Sequence, residues 1–408
     1  MGKNLIIALL LLQTTAIFSQ KIKKTVFIIA DGIPADVLEK VKTPALNAIS
    51  KVGGYTHAHV GGERGGYSQT PTISAVGYNS LLTGTWSNKH NVWDNDIKAP
   101  DYNYWTIFRF LETASPQKKT AIFSTWLDNR TKLVADGLPV AGNIHIDHSF
   151  DGLELDTGRY PHDGQREYLH KIDEAVATAA ASYIRSDAPD LSWVYLEYTD
   201  DMGHKYGDNE KLYTAVQYMD NQVQRIWESI RYREKKFNED WVIYITTDHG
   251  RDSVTGKGHG GQSDRERNTW IVTNAKGLND YFFKGRPGIV DIMPTLASFL
   301  GIPISKAQLM EIDGVPLTGP LSVVSPKAVL SNNMLTLKWK ALQQKGKVKI
   351  WLTPGNNFKM GGKDEYTLVA ELPLDNEMAV IDVKSFHASF YKIVLEGPHN
   401  MVNIWVGK

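Results

Sequence analysis

The sequence predicts an α/β fold: a mostly parallel sheet flanked by helices on both faces, followed by a C-terminal β-sandwich. Three observations carry this reading. Strand-length runs such as TVFIIA (25–30) are apolar throughout, as strands buried on both faces must be. Amphipathic helical patterns alternate with them. Beyond residue 318 the long helical patterns stop and short alternating runs take over.

Taken in order, the chain opens with MGKNLIIALLLLQTTAIFSQ, a basic start, an apolar stretch from Leu5 to Leu12 and small or polar residues to Ser19. That is the pattern of a cleaved signal peptide over residues 1–20, and the apolar run is too short to span a bilayer. The first strand, TVFIIAD, ends at Asp31. Further strands are expected at 120–125, 193–200, 241–248 and 269–274. Between them, 166–186 and 209–237 carry apolar residues at threes and fours, which marks helices. Three strands end in aspartate, at Asp31, Asp200 and Asp248. In parallel sheets functional groups gather beyond the carboxyl ends of the strands. Residues 21–318 therefore read as a catalytic domain. Residues 319–408, with LTLKWKAL, KVKIWLTP, YTLVAEL and FYKIVLEG between turn-rich segments, resemble a fibronectin III or immunoglobulin-like module.

Acidic and basic residues balance at 45 each, so no net field recruits a nucleic-acid duplex or an acidic membrane surface. The 408-residue chain has no cysteine, which excludes a disulfide framework. A signal peptide on a cysteine-free chain of this size suits the periplasm or exterior of a Gram-negative bacterium.

The chemistry is concentrated in a set of residues rather than in any one of them. A lone strand-end aspartate such as Asp31 caps a following helix as readily as it binds metal. Together, Asp31, Asp200 and His204 (in YTDDMGHKYG), Asp248 with His249, and His259 supply three carboxylates and three imidazoles. That is a donor set for two Zn²⁺ ions, which take nitrogen and oxygen ligands. Neighbouring glycines at 32, 203, 250, 258 and 260 would let side chains from distant strands converge on ions only about 4 Å apart. A nucleophile is expected in GGYSQTPTISAVGYNSLLTGTW (65–86), where a polar loop enters a helix near Ser74. Thr70, Thr72 and Ser74 are all candidates, and the positive helix end would favour an anion there.

These elements, in this order, resemble the alkaline phosphatase superfamily, and within it the nucleotide pyrophosphatase/phosphodiesterase branch. The matching segments are IIAD31G, PTIS74, D200DMGH204KYG, TD248H249G and GH259GG, with Thr83-Gly84 nine residues past Ser74 and Asn95 twenty-one past it. VDIMPTLASFLGI (290–302) resembles a packing segment of the superfamily. The resemblance implies an alkaline-phosphatase-like sheet and two zinc ions. One would be held by Asp31, Asp248 and His249, with Ser74 both a ligand to it and the nucleophile. The other would be held by Asp200, His204 and His259. It also implies a phosphoseryl intermediate, with Asn95 and the Ser74 backbone N–H donating to the phosphoryl oxygens. Serine stands where the branch usually has threonine, and Asp201 adjoins Asp200, so that ligand is assigned by its spacing to His204.

The function implied is an exported two-zinc phosphodiesterase or nucleotide pyrophosphatase acting on a small phosphodiester or nucleotide. The alternative is an alkaline-phosphatase-like phosphomonoesterase, which would set a cation, from Arg64, Arg251 or Arg265, over the extra charge of a monoester. A sulfatase is disfavoured because no C/S-x-P-x-R segment occurs. A non-catalytic binding protein would not need the full donor set.

Overall fold

The computed structural model describes residues 20–407, so the expected signal peptide, apart from Gln20, lies outside the described residues. Seven strands form one sheet: β1 (Ile22–Ala30), β2 (Gly54–His59), β3 (Thr120–Ser124), β4 (His148–Phe150), β5 (Leu191–Leu196), β6 (Glu239–Thr246) and β7 (Asn268–Thr273). Their order is β2-β7-β6-β1-β5-β3-β4. β1 pairs in parallel with β5 and β6, and β3 in parallel with β5 and β4. Only β7, with β2 beside it, runs antiparallel.

The central place of β1 follows from its composition. Val26, Ile28 and Ala30 point into one apolar core, and Phe27 and Ile29 into the other. Alternate residues of a strand face opposite ways, so a run that is apolar at every position must be covered on both faces. Helices Glu167–Ser186 and Glu210–Lys236 cover the first face, within a residue of the predicted bounds. Helices Ser74–Thr83, Ile107–Ala114 and Ile292–Leu300 cover the second. The last of these is the expected packing segment.

One expected strand is corrected. The run 193–200 leaves the sheet at Leu196, and Tyr198–Tyr206 is a helix. The buried carboxylate of Asp173 accepts the backbone N–H groups of Glu197 (3.1 Å) and Tyr198 (2.9 Å), satisfying donors that a helix start leaves free. Asp200 and His204 thus sit one turn apart on a helix, not at a strand end. β2 and β4 were not expected. β4 has three residues, and β2 (GYTHAH) alternates weakly and holds two histidines.

The C-terminal region is all β. A three-stranded antiparallel sheet in the order β12-β9-β8 comprises β8 (Val323–Ser331), β9 (Met334–Ala341) and β12 (Met378–Asp382). The second sheet, β11-β10-β13-β14, comprises β10 (Lys347–Thr353), β11 (Thr367–Pro373), β13 (Phe390–Glu396) and β14 (Met401–Gly407). Leu335 and Leu337 of β9 share a core with Ile350 of β10 and with Ile393 and Leu395 of β13, so the two sheets form a sandwich. Buried charge joins it to the rest of the chain. Lys89 Nζ donates to Glu311 O (2.7 Å), Asp313 Oδ1 (2.6 Å) and Asn403 Oδ1 of β14 (2.6 Å).

Candidate metal centre

Asp31 follows β1 directly, and Asp248 and His249 follow β6, so parallel neighbours deliver all three to one end of the sheet. All three are buried. His249 Nε2 lies 3.4 Å from Asp31 Oδ1 and 3.3 Å from Asp248 Oδ2, and neither oxygen has a hydrogen-bond partner among the described residues. The other oxygen of each acid is occupied. Asp248 Oδ1 accepts the Gly32 N–H (3.1 Å), and Asp31 Oδ2 accepts from the Tyr195 hydroxyl (2.7 Å) and from Tyr78.

The histidine tautomers point the same way. His249 Nδ1 sits 2.9 Å from Gly250 O, and His259 Nδ1 sits 2.8 Å from Thr72 O. Only an Nδ1–H can make those bonds with a carbonyl, which leaves each Nε2 with a lone pair aimed inward. His259 Nε2 meets His204 Nε2 at 3.0 Å, and His204 Nε2 lies 3.2 Å from Asp200 Oδ2. One donor atom each from Asp31, Asp248 and His249 falls within a 4.8 Å group, and a second such group takes Asp200, His249 and His259. Lone pairs and carboxylates converging this closely are what a divalent cation would hold, so the donor set fits metal.

The protonation equilibria show what the convergence costs. Burial, then the charge of Asp200, pushes the Asp31 carboxyl up to about 7, against the pull of the tyrosine hydroxyls. Burial and Asp31 likewise drive Asp248 well above its ordinary value. Burial, reinforced by His259, holds His249 far down, so its close approaches to the acids are not ion pairs. Asp200 behaves differently. Burial acts to raise it, but the Arg251 charge and the His204 hydrogen bond outweigh burial and hold it well below the carboxylate range.

Arg251 explains that exception. It is fully buried and donates to Asp200 Oδ1, Asp200 O (2.6 Å) and Gly32 O (3.0 Å). Two of the expected glycines, Gly32 and Gly203, make its space. A Cβ on Gly32 would fall 2.7 Å from the guanidinium, and one on Gly203 only 2.1 Å from it. The three arginines considered for a phosphate contact are thus all engaged. Arg64 pairs with Asp264 (2.6 Å), Arg265 with Asp36 (3.1 Å) and Asp208 (2.7 Å), and Arg251 with Asp200.

Ser74 is the first residue of its helix, not the cap, which is Ile73. Its Oγ therefore faces the cluster, 3.3 Å from His249 Nε2. Thr70 and Thr72 are tied elsewhere, Thr70 to Ser87 (3.0 Å) and Thr72 to Gly261 O (2.9 Å). Asn95 Oδ1 accepts the Ala75 N–H (3.0 Å), which fixes the amide and leaves its NH₂ free of other protein groups among the described residues. The Asn95 loop is fastened to the nucleophile helix by His90, which is fully buried. Val92 N–H donates to His90 Nδ1 (3.1 Å). Ser80 Oγ, itself donating to Val76 O, meets His90 Nε2 (3.0 Å).

Sequence reasoning missed Tyr78, Tyr195, His90 and the role of Arg251. Tyr78 lies one turn past Ser74 and Tyr195 on β5 beside β1, so both were visible as neighbours of the site only once the sheet order was known.

This sheet, with acids and imidazoles at its carboxyl end beside a helix-borne serine, defines an alkaline-phosphatase-like hydrolase fold. The chain belongs to the type I phosphodiesterase / nucleotide pyrophosphatase family, whose model matches residues 25–295. No curated protein matches it in sequence. Among solved structures, BT1596, a 2-O GAG sulfatase, is similar with a TM-score of 0.50, 12% identity and coverage of 90% of this chain and 86% of that one. Ps i-CgsB is similar with a TM-score of 0.51, 14% identity and coverage of 79% and 86%. Human ectonucleotide pyrophosphatase / phosphodiesterase 5 matches with a TM-score of 0.48, 15% identity and coverage of 69% and 96%.

Proposed function

We propose that the protein is an exported two-zinc phosphodiesterase or nucleotide pyrophosphatase that cleaves phosphodiester or phosphoanhydride bonds through a phosphoseryl intermediate. The observation that supports this best is the Ser74 hydroxyl, 3.3 Å from His249 Nε2 beside the two unpartnered carboxylate oxygens. Asp31, Asp248 and His249 would hold one ion, and Asp200, His204 and His259 the other. Bound zinc would supply Lewis acidity and ease ionisation of a hydroxyl or water near neutral pH.

The chain's own groups do the rest. Ser74 Oγ attacks phosphorus in line, forming the Ser74–phosphorus bond as the bond to the leaving alcohol or phosphate breaks. Asn95 Nδ2 and the Ser74 N–H donate to the non-bridging oxygens, a contribution that can reach a few kcal/mol in the transition state. Water then attacks the same phosphorus, the Oγ–phosphorus bond breaks to release a phosphomonoester, and a proton from the water restores the Ser74 hydroxyl.

The engaged arginines favour the diester over the monoester. A monoester brings one more negative charge, and each cation considered for it is already spent on a carboxylate of the protein. In this reading residues 1–20 are removed on export to the periplasm or beyond, 21–318 form the catalytic domain, and 319–408 buttress it.

The test compares kcat/KM for bis-p-nitrophenyl phosphate and p-nitrophenyl phosphate on zinc-loaded protein. The diester should be preferred, chelation should abolish turnover, and Ser74→Ala should be inactive while retaining zinc. A large preference for the monoester, or an active Ser74→Ala protein, would overturn the reading.

A further inference from the structure

A cavity of about 510 Å³ lies between the β2 side of the α/β sheet and the C-terminal sandwich, lined from one side by His59, Arg267 and Arg286 and from the other by Lys327 and Trp405. None of the candidate metal ligands lines it. It opens at the same end of the sheet as the metal centre. β7 runs against β6, and β2 against β7, so the end of β2 and the start of β7 fall beside the carboxyl end of β6.

Its charge is unbalanced in a chain that is neutral as a whole. Arg267 donates to Gln262 Oε1 (2.8 Å) and to Gly62 O, both neutral acceptors. The side chains of Arg286 and Lys327 have no hydrogen-bond or ion-pair partner among the described residues and are exposed. Asp264 and Asp313 in the same wall are already paired, with Arg64 (2.6 Å) and Lys89 (2.6 Å). Asp291 accepts two backbone N–H groups, from Gly288 (2.7 Å) and Val315 (2.7 Å). That leaves three cations against two carboxylates, Glu63 and Asp291, an excess of one positive charge. His59 in the same lining is held neutral chiefly by burial. Burial, then Arg286, holds its pKa down to about 4.

The cavity also offers aromatic faces. Tyr67 is 47% exposed, held at one edge by Phe390 (ring centroids 5.3 Å apart), and Tyr281, half-buried, also lines the cavity. A half-exposed ring in a cavity with the unpaired Arg286 guanidinium and Lys327 ammonium suits a ligand with a ring to stack and an anion to pair. The volume is that of a small-molecule site.

We propose that this cavity is a second binding site, separate from the metal cluster, for a ring-bearing ligand that carries at least one phosphate or sulfate group. Arg267, fixed by its two neutral acceptors, is the preorganised anion contact. Arg286 and Lys327 close on the anion from the two sides of the junction. Through Gln262, whose Nε2 donates to Thr70 O (2.7 Å), the site touches the segment that leads to Ser74.

The test is calorimetric titration of full-length Ser74→Ala protein with inorganic phosphate, adenosine monophosphate and a monosulfated disaccharide, repeated with Arg286→Glu/Lys327→Glu added. One of the two ring-bearing anions should bind at least tenfold tighter than phosphate, and which one does so identifies the ligand's source. The added charge reversals should weaken that binding tenfold or more, and Tyr67→Ala should weaken it too. Arg286→Glu/Lys327→Glu in the otherwise unaltered enzyme should leave hydrolysis of bis-p-nitrophenyl phosphate unchanged, whatever the outcome for Ser74. Ring-bearing anions that bind no better than phosphate, or binding indifferent to the charge reversals, would refute the site.

Discussion

The guanidinium of Arg251 occupies the space that a side chain at Gly203 would need, 2.1 Å from where the Cβ would lie. Gly203 stands on the helix between Asp200 and His204, so the missing Cβ is what lets a buried cation reach the Asp200 carboxylate from behind. The carboxylate is thereby anchored through Oδ1, and Oδ2 is left to face His204.

Gly203→Ala should therefore expel Arg251 and leave Asp200 without its counter-charge. Breaking a buried pair by displacing one partner costs about 3–5 kcal/mol. Urea denaturation should show a loss of that size, and, on the proposed two-zinc reading, metal analysis should show less than the full complement of zinc. Arg251→Met, which keeps the packing but removes the charge, should share the zinc defect. A Gly203→Ala protein of unaltered stability and zinc content would mean that the cradle is incidental.

Tyr78 and Tyr195 converge on one oxygen of Asp31 and so hold the other toward His249. Partners of this kind orient a ligand, and losing one typically costs 10–100-fold in metal affinity or activity. Tyr78→Phe and Tyr195→Phe should each weaken zinc retention within about that range, read by competition with a chromogenic chelator. Because both act on the same atom, the double variant should fall short of the product of the two effects. Fully multiplicative losses would argue that the two hydroxyls work independently.

What was legible in the sequence follows from what is local. β1, β3, β6 and β7 announced themselves because a strand buried on both faces must be apolar at every position, and the long helices because their stripes persist for several turns. The acids and histidines were legible as a set in a fixed order. The end of β5 was not. VYLEYTD reads as extended, and its turn into a helix depends on Asp173, more than twenty residues earlier in the chain. Arg251 and the two tyrosines were hidden for the same reason, since their partners come from distant segments of the chain. β2 was missed because, as an edge strand, it has no need of an unbroken apolar run.

His90 gives a pH-dependent test. It is buried and neutral between Val92 and Ser80, and burial lowers its pKa to about 3, against an ordinary value of 6.5. Above pH 6.5 neither the folded nor the unfolded chain protonates it, so its contribution to stability is complete. Between pH 6.5 and 3 the unfolded chain takes up the proton and the folded chain does not, so that contribution is lost as pH falls. Relative to His90→Gln, the native protein's stability should decline by up to about 1.4 kcal/mol per pH unit in this window. Guanidinium titrations of both proteins at pH 7, 6, 5 and 4 measure the difference. A constant gap would contradict a neutral buried imidazole.

The junction between the two parts of the chain rests on a second buried charge cluster. Lys392 of β13, almost wholly inaccessible, pairs with Glu311, which precedes the sandwich, and with Asp364 (2.6 Å) in the segment between β10 and β11. Tyr366 donates to the same Glu311 oxygen (3.2 Å), while Lys89, from the α/β part, takes the Glu311 carbonyl. Burial pushes Glu311 upward and the two lysines oppose it, so the carboxylate depends on Lys392 to stay charged. Lys392→Met would leave two buried carboxylates facing each other, at a cost of about 3–5 kcal/mol. Because the cluster ties β13 and β14 to the segment entering the sandwich, the native protein should melt in a single calorimetric transition. The variant should melt lower, with the sandwich separating as an earlier transition. Two transitions in the native protein, or an unshifted melt in the variant, would show the sandwich to be an independent appendage rather than part of the enzyme's framework.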